Sequence, residues 1–411
     1  MQKKEVSMSM LTTTKGQQNL PRYFTAAFGT IKGLRAGTME ISLPDGRVFS
    51  ASGPQPGQTA RFDVHNVDVF SRLVRDGDVG FSDAYLEGWW STPDLQAFMD
   101  VVHDNHEELV VAFPGGGVVK LFEKLRHWMN SNSRRQARKN ISYHYDLGND
   151  FYSKWLDETM TYSSALFKTG QEDLSKAQIQ KYASICDQME MKSGDHILEI
   201  GCGWGGFAEY AAGTRGARIT CLTISQQQHD YATERMKRKG LDKQVEIVMR
   251  DYRDDTGSYD GIASIEMFEA VGEKYWPTYF NAVRDRLKPG KQATLQIITV
   301  ADDIFPRYRK TVDFIQKHIF PGGMLPSPSI LREEVIRAGL EFQGSIEFGK
   351  SYSLTLRRWF DTFNEKWDTI TEMGFDDRFK RMWDYYLTSC ASGFEYGTTD
   401  VTQVTLRRPI C

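Results

Sequence analysis

The stretch HILEIGCGWGGFAEYAA at residues 196–212 decides the fold of this chain. A short apolar run leads into a glycine-rich loop, and a helical pattern follows the loop. Gly201, Gly203 and Gly206 satisfy the G-x-G-x-x-G spacing that places a ligand between a strand and the start of a helix. The spacing alone does not choose between a dinucleotide and a ligand without phosphates, so the rest of the chain must decide.

Strands alternate with helices from residue 177 onward. The apolar runs are HILEIGC, ARITCLTI, QVEIVMRDY, YDGIASIEM and KQATLQIITV. A helical stretch between two of them, SQQQHDYATERMKRKG, has Ser225 as N-cap and Gly240 as its stop. This alternation predicts a mostly parallel sheet with helices on both faces and a ligand at the carboxyl ends of the strands.

The preceding part of the chain has a different pattern. The stretch GTMEISLPDGRVFSASG at 37–53 alternates around Asp45-Gly46, which predicts a hairpin. Helical material follows, with an aromatic corner at Trp89-Trp90 that we expect to be core. We therefore predict three parts, which are a small α+β domain at 1–125, a basic linker with ligand-covering helices at 126–176, and a catalytic domain at 177–411.

Composition bounds the class of protein. The 411 residues are 40% hydrophobic and 26% charged, and the formal charge of −3 excludes a globally basic nucleic-acid binder. We find neither an apolar run long enough for a transmembrane helix nor a signal-peptide core, which predicts a cytoplasmic protein. Five scattered cysteines without a C-x-x-C pair favour a reducing compartment and predict no metal site.

One segment is strongly basic. Residues 120–139, KLFEKLRHWMNSNSRRQARK, carry seven Lys or Arg against Glu123, with apolar residues at helical spacing beside the cations. Such a segment can lie on an anionic membrane surface. A solvated connector between domains explains the same pattern equally well.

The loop chemistry favours S-adenosylmethionine (SAM) over a nicotinamide. The second strand, ARITCLTISQQQ, ends in Thr223, Ser225 and glutamines, without the carboxylate that binds a dinucleotide ribose. Glu199 stands just before the glycines, where it would repel a pyrophosphate but suit a cationic ligand. Glu199, Gly201, Gly203 and Gly205 spell E-x-G-x-G-x-G, and SAM has a sulfonium, an ammonium and no phosphate. Asp251 or Tyr252, after the third strand, can contact the adenine edge.

Several further stretches identify a family. They are FSDAYLEGWW (81–90), YHYDLGNDFYSKWLDETMTYSSALF (143–167), GCGWGG, LTISQQQ, IEMFEAVGEKYWPTYF (265–280), FIQKHIFPGGMLPS (314–327) and RFKRMWDYYLTSCASGF (378–394). In this order they resemble the cyclopropane fatty acid synthase family of SAM-dependent methyltransferases over roughly residues 75–410. The resemblance implies a seven-stranded Rossmann-like methyltransferase domain whose last strand, TDVTQVTLRR (399–408), runs antiparallel.

The resemblance also implies a reaction. SAM donates a methyl group to the cis double bond of an unsaturated acyl chain, usually on a membrane phospholipid, and leaves a carbocation. A base, thought to be bound bicarbonate, then removes a proton and the ring closes. Such a cation needs a dry site with aromatic faces. Candidate rings are Tyr143, Tyr145, Tyr162, Phe268, Phe320 and Tyr352, each of which also suits ordinary core packing.

Site residues are carried over from the family motifs. The resemblance places SAM against Tyr143, Tyr145, Thr161, Tyr162, Ser163, Glu199, Gly201, Gly203, Gly205, Thr223, Gln228, Asp251 and Tyr252. It assigns the reaction to Glu269 of MFEAVG and Tyr352 of SYSLTL, which would hold bicarbonate, together with Ser164 and Gln296. Gln228 would take the place of a ribose-binding acid.

Three departures from the family pattern bear on the product. Ser164 stands where many relatives have cysteine, Gln296 where many have histidine, and Ala270 where many have histidine. Ser and Gln still hydrogen-bond an anion, but neutral Gln cannot become a cation. If the cation loses a proton from a neighbouring carbon instead, the product is a methylene-bearing or methyl-branched chain. Some relatives reach that product with a separate redox partner.

Three functions stay open at this point. The first is a lipid C-methyltransferase, peripheral to the inner face of the membrane, which docks through residues 1–125 and 120–139. The second is methylation of a small soluble amine, and the third is a lipid-binding or regulatory module that keeps SAM without chemistry. Glu269 and Tyr352 speak against the third, and the N-terminal domain speaks against the second. Relatives often form dimers, although no pattern in this chain establishes an interface.

Overall fold

The computed structural model describes residues 10–110 and 147–410. Within these ranges the helices are α1 (Phe24–Ile31), α2 (Val69–Leu86), α3 (Leu95–Asp104), α4 (His106–Val110), α5 (Asn149–Trp155), α6 (Leu174–Gln188), α7 (Gly206–Arg215), α8 (Gln226–Arg238), α9 (Trp276–Arg286), α10 (Phe305–Tyr308), α11 (Pro328–Arg337), α12 (Gly349–Glu365), α13 (Trp367–Thr371) and α14 (Asp377–Glu395). The strands are β1 (Ala36–Ser42), β2 (Val48–Ser52), β3 (Gln55–Val64), β4 (Trp90–Ser91), β5 (His196–Ile200), β6 (Arg218–Thr223), β7 (Val245–Met249), β8 (Tyr259–Ile265), β9 (Leu287–Val300), β10 (Glu341–Glu347) and β11 (Thr399–Arg407).

The chain divides into two compact units. The first contains the described part of residues 1–126 together with 311–318 and 375–396. The second contains the described part of 127–310 together with 319–374 and 397–411. Residues 311–318 and 375–396 fall within the predicted catalytic domain, 177–411. In the structure these segments pack within the first unit, where Tyr385 contacts Tyr85 of α2 and the segment 311–318 binds Asp83 of α2 through Lys317 and His318.

The first unit is an α+β structure around a four-stranded sheet in the order β2-β1-β3-β4. The strands β1 and β2 pair antiparallel, and the turn at Asp45-Gly46 joins them, with Gly46 at a φ of 89°. This confirms the predicted hairpin. Trp90 is buried, donates from its indole N–H to the carbonyl of Phe81 at 3.0 Å, and stacks on the Phe81 ring. Trp90 is therefore a core residue, as expected.

Two long-range contacts hold α14 in the first unit. The Tyr385 ring packs on that of Tyr85, with 5.6 Å between ring centroids. The hydroxyl of Ser392 donates to the carboxylate of buried Asp100 at 2.6 Å. On the segment 311–318, Lys317 and His318 each donate to the Asp83 carboxylate at 2.8 Å. Burial raises the pKa of Asp83, but the hydrogen bonds from His318 and Lys317 outweigh it and lower the pKa to about 2.

The second unit is built on a seven-stranded sheet in the order β10-β11-β9-β8-β5-β6-β7. Strands β9, β8, β5, β6 and β7 are parallel, whereas β11 runs antiparallel between β9 and β10. The predicted apolar runs form β5 to β9, and the predicted last strand forms β11. The predicted α/β fold with a final antiparallel strand is thereby confirmed.

Helices cover the sheet of the second unit on both faces. Successive residues of a strand point to opposite faces, so Leu198 packs with Val283 of α9 and Val335 of α11, while its neighbour Ile197 packs with helices α6 to α8. Helix α8 begins as predicted, because the Ser225 hydroxyl accepts from the Gln228 N–H.

Within the described ranges, no helix combines the length and the apolar character needed to cross a membrane.

Candidate active site

The glycine loop lies between β5 and α7 at the carboxyl edge of the sheet. Gly201, Gly203 and Gly205 all have positive φ, at 82°, 51° and 83°, which a residue with a Cβ adopts only with strain. The Gly201 N–H donates to the carbonyl of Leu222 at 3.0 Å, which ties the loop to β6. A Cβ at Gly203 would meet nothing within 4 Å. A ligand can therefore approach the Gly203 backbone.

Glu199 is buried on β5, two residues before the loop. Its carboxylate accepts from the Cys221 thiol on β6 at 3.3 Å. Burial raises its pKa to about 8, and the cations of Lys181 and Arg235 work in the opposite direction. Burying a charged carboxylate costs free energy unless a cation lies beside it. Glu199 therefore suits a positively charged ligand, which is what the sequence predicts.

The next two strands end in polar groups at the same edge. The Thr223 hydroxyl, at the end of β6, donates to the side-chain carbonyl of Gln228 at 3.1 Å. After β7, the carboxylate of Asp251 accepts from the Arg253 backbone N–H at 3.0 Å and pairs with its guanidinium. The half-buried Tyr252 packs on the Tyr279 ring. Hydrogen bonds within the protein hold these polar groups at the edge of the sheet.

The segment Thr161-Tyr162-Ser163 is anchored by helix α6. Thr161 shares a hydrogen bond with the Tyr182 hydroxyl, and the buried Lys181 ammonium donates to the Ser163 hydroxyl at 2.6 Å. Burial lowers the pKa of Lys181 to about 7, although the negative charges of Glu266, Asp157 and Glu199 oppose that shift. Lys181 is thus a buried amino group whose charge is disfavoured by burial and favoured by nearby acidic groups.

A carboxylate pocket lies beside this segment, at the end of β8. The Glu266 carboxylate accepts from the Ser164 backbone N–H at 2.8 Å, from the Gln296 side-chain amide at 2.7 Å, and from the Tyr352 hydroxyl at 2.6 Å. We call the Ser164 N–H, the Gln296 amide and the Tyr352 hydroxyl the donor trio. Burial raises the pKa of Glu266, and the Lys181 ammonium and the donor trio oppose that effect.

Glu269 occupies the other side of the pocket, one turn further along. Its Oε1 accepts from the backbone N–H of Ile298 on β9 at 2.6 Å. Its Oε2 is buried and has no hydrogen-bond partner among the described residues. Burial, and next the negative charge of Glu266, raise the pKa of Glu269 to about 8. A protonated Glu269 would be a donor with nothing in the described protein to receive its proton, which points to a ligand.

Aromatic rings surround the segment that carries Ser164. Tyr162 lies 5.4 Å from Trp359, 5.6 Å from Trp155 and 5.3 Å from Tyr152, between ring centroids. Trp359 also lies 6.3 Å from the Tyr352 ring. Apolar walls with π faces beside a carboxylate pair are suited to a short-lived cation.

The structure brings most of the predicted site residues to one edge of the sheet. Glu199, Gly201, Gly203, Gly205, Thr223, Asp251 and Glu269 all follow or end neighbouring parallel strands. Ser164, Gln296 and Tyr352 come together on Glu266. Phe268 does not join them, because its ring is buried against Trp276, Tyr279 and Phe280 in the core. Tyr143, Tyr145 and the basic segment 120–139 lie outside the described residues.

Sequence reasoning missed Glu266, Lys181 and Gln403. Glu266 stands three residues before Glu269, inside a motif already singled out, and a carboxylate following a buried strand was the available signal. Lys181 and Gln403 carried no such signal, because the first lies within an amphipathic helix and the second within a strand of alternating threonines and apolar residues. Both side chains make their hydrogen bonds with residues that lie far away in the sequence.

The strand order, the open glycine loop and the acidic groups around it define a SAM-dependent methyltransferase. The residues fit SAM, since Gly203 leaves space above its backbone and the buried Glu199 carboxyl group would be favoured in its ionised form by a cationic ligand.

Comparison with known proteins gives the family. The mycolic acid cyclopropane synthetase family matches residues 132–404, which is more than half of the chain, and the chain belongs to this family. It is 36% identical over 390 residues to the tuberculostearic acid methyltransferase UfaA1 of Mycobacterium tuberculosis, covering 90% of this chain and 88% of that protein. It is 33% identical over 392 residues to the cyclopropane-fatty-acyl-phospholipid synthase of Escherichia coli, covering 90% of this chain and 96% of that protein.

Solved structures agree with this assignment. The cyclopropane synthase MmaA2 of Mycobacterium tuberculosis is 27% identical with a TM-score of 0.62, covering 66% of this chain and 97% of that one. The mycolic acid cyclopropane synthase CmaA1, complexed with SAH and CTAB, is also 27% identical with a TM-score of 0.62, covering 66% and 98%. The predicted family, fold class and enzyme class are confirmed.

Proposed function

We propose that this chain transfers the methyl group of SAM to a cis double bond in the unsaturated acyl chains of membrane phospholipids. The product is a cyclopropane or a methylene-bearing chain, and a methylene group becomes a methyl branch after reduction by a separate redox partner. The observation that carries the proposal is the pair of carboxylates, Glu266 and Glu269, beside the aromatic rings of Tyr162, Trp359 and Tyr352.

The chemistry of that arrangement suits an alkene better than an amine. An alkene attacks the electrophilic methyl group with its π electrons and leaves a carbocation that must be shielded from water and then lose a proton. Rings supply about 0.5–2 kcal/mol each toward a nearby cation. A carboxylate supplies a base. An amine acceptor would need no carbocation-stabilising wall.

The names of similar proteins point to the same substrates. One relative is a tuberculostearic acid methyltransferase and another is a cyclopropane-fatty-acyl-phospholipid synthase. A further relative, 30% identical over 292 residues and covering 67% of this chain, is the sphingolipid C9-methyltransferase of Komagataella phaffii. These three names share lipid chains as the acceptor.

Roles follow for the residues at the edge of the sheet. SAM, when bound, supplies the methyl group. Gly201 and the open backbone at Gly203 receive it, Glu199 balances its positive charge, and Gln228 and Asp251 face its ribose and adenine. Thr161, Tyr162 and Ser163 cover it from the side of α5 and α6. Tyr143, Tyr145, Gly205, Thr223 and Tyr252 complete the proposed SAM site.

Access to phospholipid requires contact with a bilayer. We assign this to residues 1–125 and to the basic segment 120–139, whose seven cations would attract anionic headgroups. The protein would then act at the inner face of the membrane as a peripheral enzyme. A homodimer is consistent with the family.

Mass spectrometry of acyl chains tests the proposal directly. The purified protein is incubated with SAM and vesicles of cis-monounsaturated phosphatidylglycerol and phosphatidylethanolamine, and the chains are analysed before and after catalytic hydrogenation. We expect a gain of one CH2. Resistance to hydrogenation identifies a cyclopropane, whereas uptake of hydrogen identifies a methylene chain.

No gain in mass, with SAM binding established separately, would overturn the lipid assignment. Methylation of added small amines under the same conditions would then support the N-methyltransferase alternative. If the protein binds SAM and vesicles but methylates neither lipids nor amines, the remaining alternative is a lipid-binding or regulatory module without catalysis.

A further inference from the structure

The donor trio is fully used by the chain's own Glu266. Ser164 has one backbone N–H and Tyr352 has one hydroxyl proton, and both point at the Glu266 carboxylate. The two N–H groups of the Gln296 amide are divided between Glu266 at 2.7 Å and the Ser164 carbonyl at 3.3 Å. The Ser164 hydroxyl donates to the Ala165 carbonyl at 2.9 Å. Every donor that the family resemblance assigns to bicarbonate through Ser164, Gln296 and Tyr352 is therefore taken.

A free bicarbonate does not fit the pocket as the residues stand. It would have to displace the Glu266 carboxylate from all three donors and would still lie beside that negative charge and the carboxyl group of Glu269. A bicarbonate beside the ionised Glu266 carboxylate in one partly buried pocket would be repelled by that charge. The Glu266 carboxylate has the same trigonal oxygen geometry as bicarbonate, and it already supplies one negative charge to the pocket.

The backbone at Glu266 is held in an unusual conformation to achieve this. Its φ is 49°, in the left-handed region that costs a residue with a Cβ about 1 kcal/mol or more. The Glu266 N–H donates to the Gln296 carbonyl at 2.9 Å, which holds this turn against β9. Backbone strain of this kind persists where surrounding contacts stabilise the conformation. At Glu266 the hydrogen bonds from the donor trio are contacts of this kind.

We propose that the Glu266 carboxylate takes the place of bicarbonate and is the base of the reaction. This inference rests on the proposed function, which supplies the alkene that accepts the methyl group. It makes catalysis independent of dissolved bicarbonate, and it makes Glu266 a catalytic residue that touches the reacting carbon chain.

The step balances in atoms and electrons. The alkene π pair forms the bond to the methyl carbon, and the pair of the broken S–C bond stays on sulfur. The Glu266 carboxylate then accepts one proton from the cation. If the proton comes from the new methyl group, the C–H pair closes the cyclopropane, and if it comes from a neighbouring carbon, the pair forms a new double bond. Glu266 releases the proton to solvent afterwards, and no oxidant or reductant takes part.

The hydrogen bonds leave room for that proton. Glu266 Oε1 accepts two hydrogen bonds and Oε2 accepts one, so Oε2 keeps a free acceptor position. The Lys181 ammonium, anchored on Ser163, opposes the rise in the pKa of Glu266 that burial causes. Glu269, with its unpartnered Oε2, faces the same pocket without competing for the donor trio.

A chemical rescue experiment tests the proposal. Glu266→Gly removes the carboxylate and suits the positive φ, Glu266→Gln keeps the shape without the base, and Glu246→Gln on the exposed edge of β7 is the control. Turnover on cis-monounsaturated vesicles is measured in CO2-free buffer with and without added bicarbonate. Binding of ¹³C-bicarbonate to each protein is measured separately by NMR line broadening.

We expect the wild type and Glu246→Gln to show the same turnover in both buffers and no broadening. Glu266→Gly should lose at least a hundredfold in CO2-free buffer, bind bicarbonate and regain at least tenfold with it. Glu266→Gln should lose at least a hundredfold without rescue, because its amide still fills the pocket. SAM affinity should stay within threefold throughout, which separates loss of the base from loss of the SAM site.

A bicarbonate requirement or bicarbonate binding in the wild type would overturn the proposal. So would an unrescued Glu266→Gly that folds and binds SAM. If Glu266→Gly does not fold, Glu266→Gln tests the proposal instead. A Glu266→Gln protein that keeps more than a tenth of wild-type turnover would show that Glu266 is not the base. A wild type without lipid activity would refute the proposed function alone, since ¹³C-bicarbonate binding still decides whether Glu266 fills the pocket.

Discussion

Gln403 orients Gln296. The Gln403 side-chain amide on β11 donates to the side-chain carbonyl of Gln296 on β9 at 3.0 Å, and the two residues face each other in the strand register. The carbonyl end of Gln403 is itself fixed, because it accepts from Ser184 at 2.7 Å and from Gln188 at 2.6 Å. Gln296 can therefore present only its NH2 group to Glu266.

Gln403→Glu should disturb the reaction without disturbing SAM. A glutamate at 403 still accepts from Ser184 and Gln188 but cannot donate to Gln296, so the Gln296 amide loses its fixed orientation. We expect kcat on lipid to fall at least tenfold, with SAM affinity unchanged in calorimetry. Gln343→Glu, on the exposed strand β10, should change neither quantity. Equal effects of the two substitutions would contradict the orienting role of Gln403.

Gly203→Val should abolish SAM binding. A valine side chain at this position would fill the space above the loop, where a Cβ now meets nothing. Gly240→Val is a matched control, because Gly240 also has a positive φ and open surroundings but lies at the end of α8. Both variants should lose a similar amount of Tm from backbone strain. Calorimetric titration with SAM should show at least a hundredfold weaker binding for Gly203→Val alone, and retained binding would refute the loop assignment.

Glu269→Gln should slow turnover while leaving SAM affinity nearly unchanged. The amide can still accept from the Ile298 N–H through Oε1, but its other end can no longer share or exchange a proton with a ligand. We expect at least a tenfold loss in kcat. Glu347→Gln on the exposed part of β10 is the control, and it should behave as the wild type. If SAM affinity fell as much as turnover, Glu269 would belong to the SAM site.

The same substitution should alter how stability depends on pH. The folded state holds the Glu269 proton up to a pKa of about 8, well above the ordinary value of 4.5. Stability from this group is therefore complete below pH 4.5 and is lost as the pH rises through 8. Glu269→Gln should lose less Tm than the wild type between pH 6 and pH 9, by about 2 °C or more. Some loss should remain, because Glu199 has the same shift. Parallel Tm curves for the two proteins would contradict the raised pKa.

Replacing the basic side chains Arg134, Arg135, Arg138 and Lys139 by glutamine should weaken docking on lipid. This prediction rests on sequence, because the segment lies outside the described residues. In flotation assays we expect the wild type to bind vesicles rich in phosphatidylglycerol, less so at high salt, since charges on a surface are screened. The variant should bind several-fold less while keeping its affinity for SAM. Binding that is equal for both proteins would remove the segment from the docking surface.

The fold was predictable because its signals are local. The apolar runs of β5 to β9, the Ser225 cap and the Asp45-Gly46 turn each depend on a few consecutive residues. The assignment of segments to the two units was less predictable. Helix α14 follows the catalytic strands in sequence but buries Tyr385 and Ser392 against α2 and α3, and that partnership has no local signal.

The site was predictable in part for the same reason. Motif residues such as Gly203 and Glu269 could be carried over one by one, and the structure places them at the same sheet edge. The hydrogen bonds of Ser164, Gln296 and Tyr352 could not be predicted without Glu266, which gathers groups from positions about a hundred residues apart on both sides. Gln403 was harder to predict. A glutamine within a strand indicates no function until the residue paired with it on the adjacent strand is known.

The position of β11 has a consequence for biosynthesis. This strand is made after every other strand of the sheet, yet it inserts between β9 and β10 and carries Gln403 into line with Gln296. A nascent chain that has emerged only as far as β10 can form the glycine loop and still lack the group that aims Gln296 at Glu266. Ribosome-bound chains stalled before residue 399 should therefore carry the glycine loop without an oriented Gln296 amide.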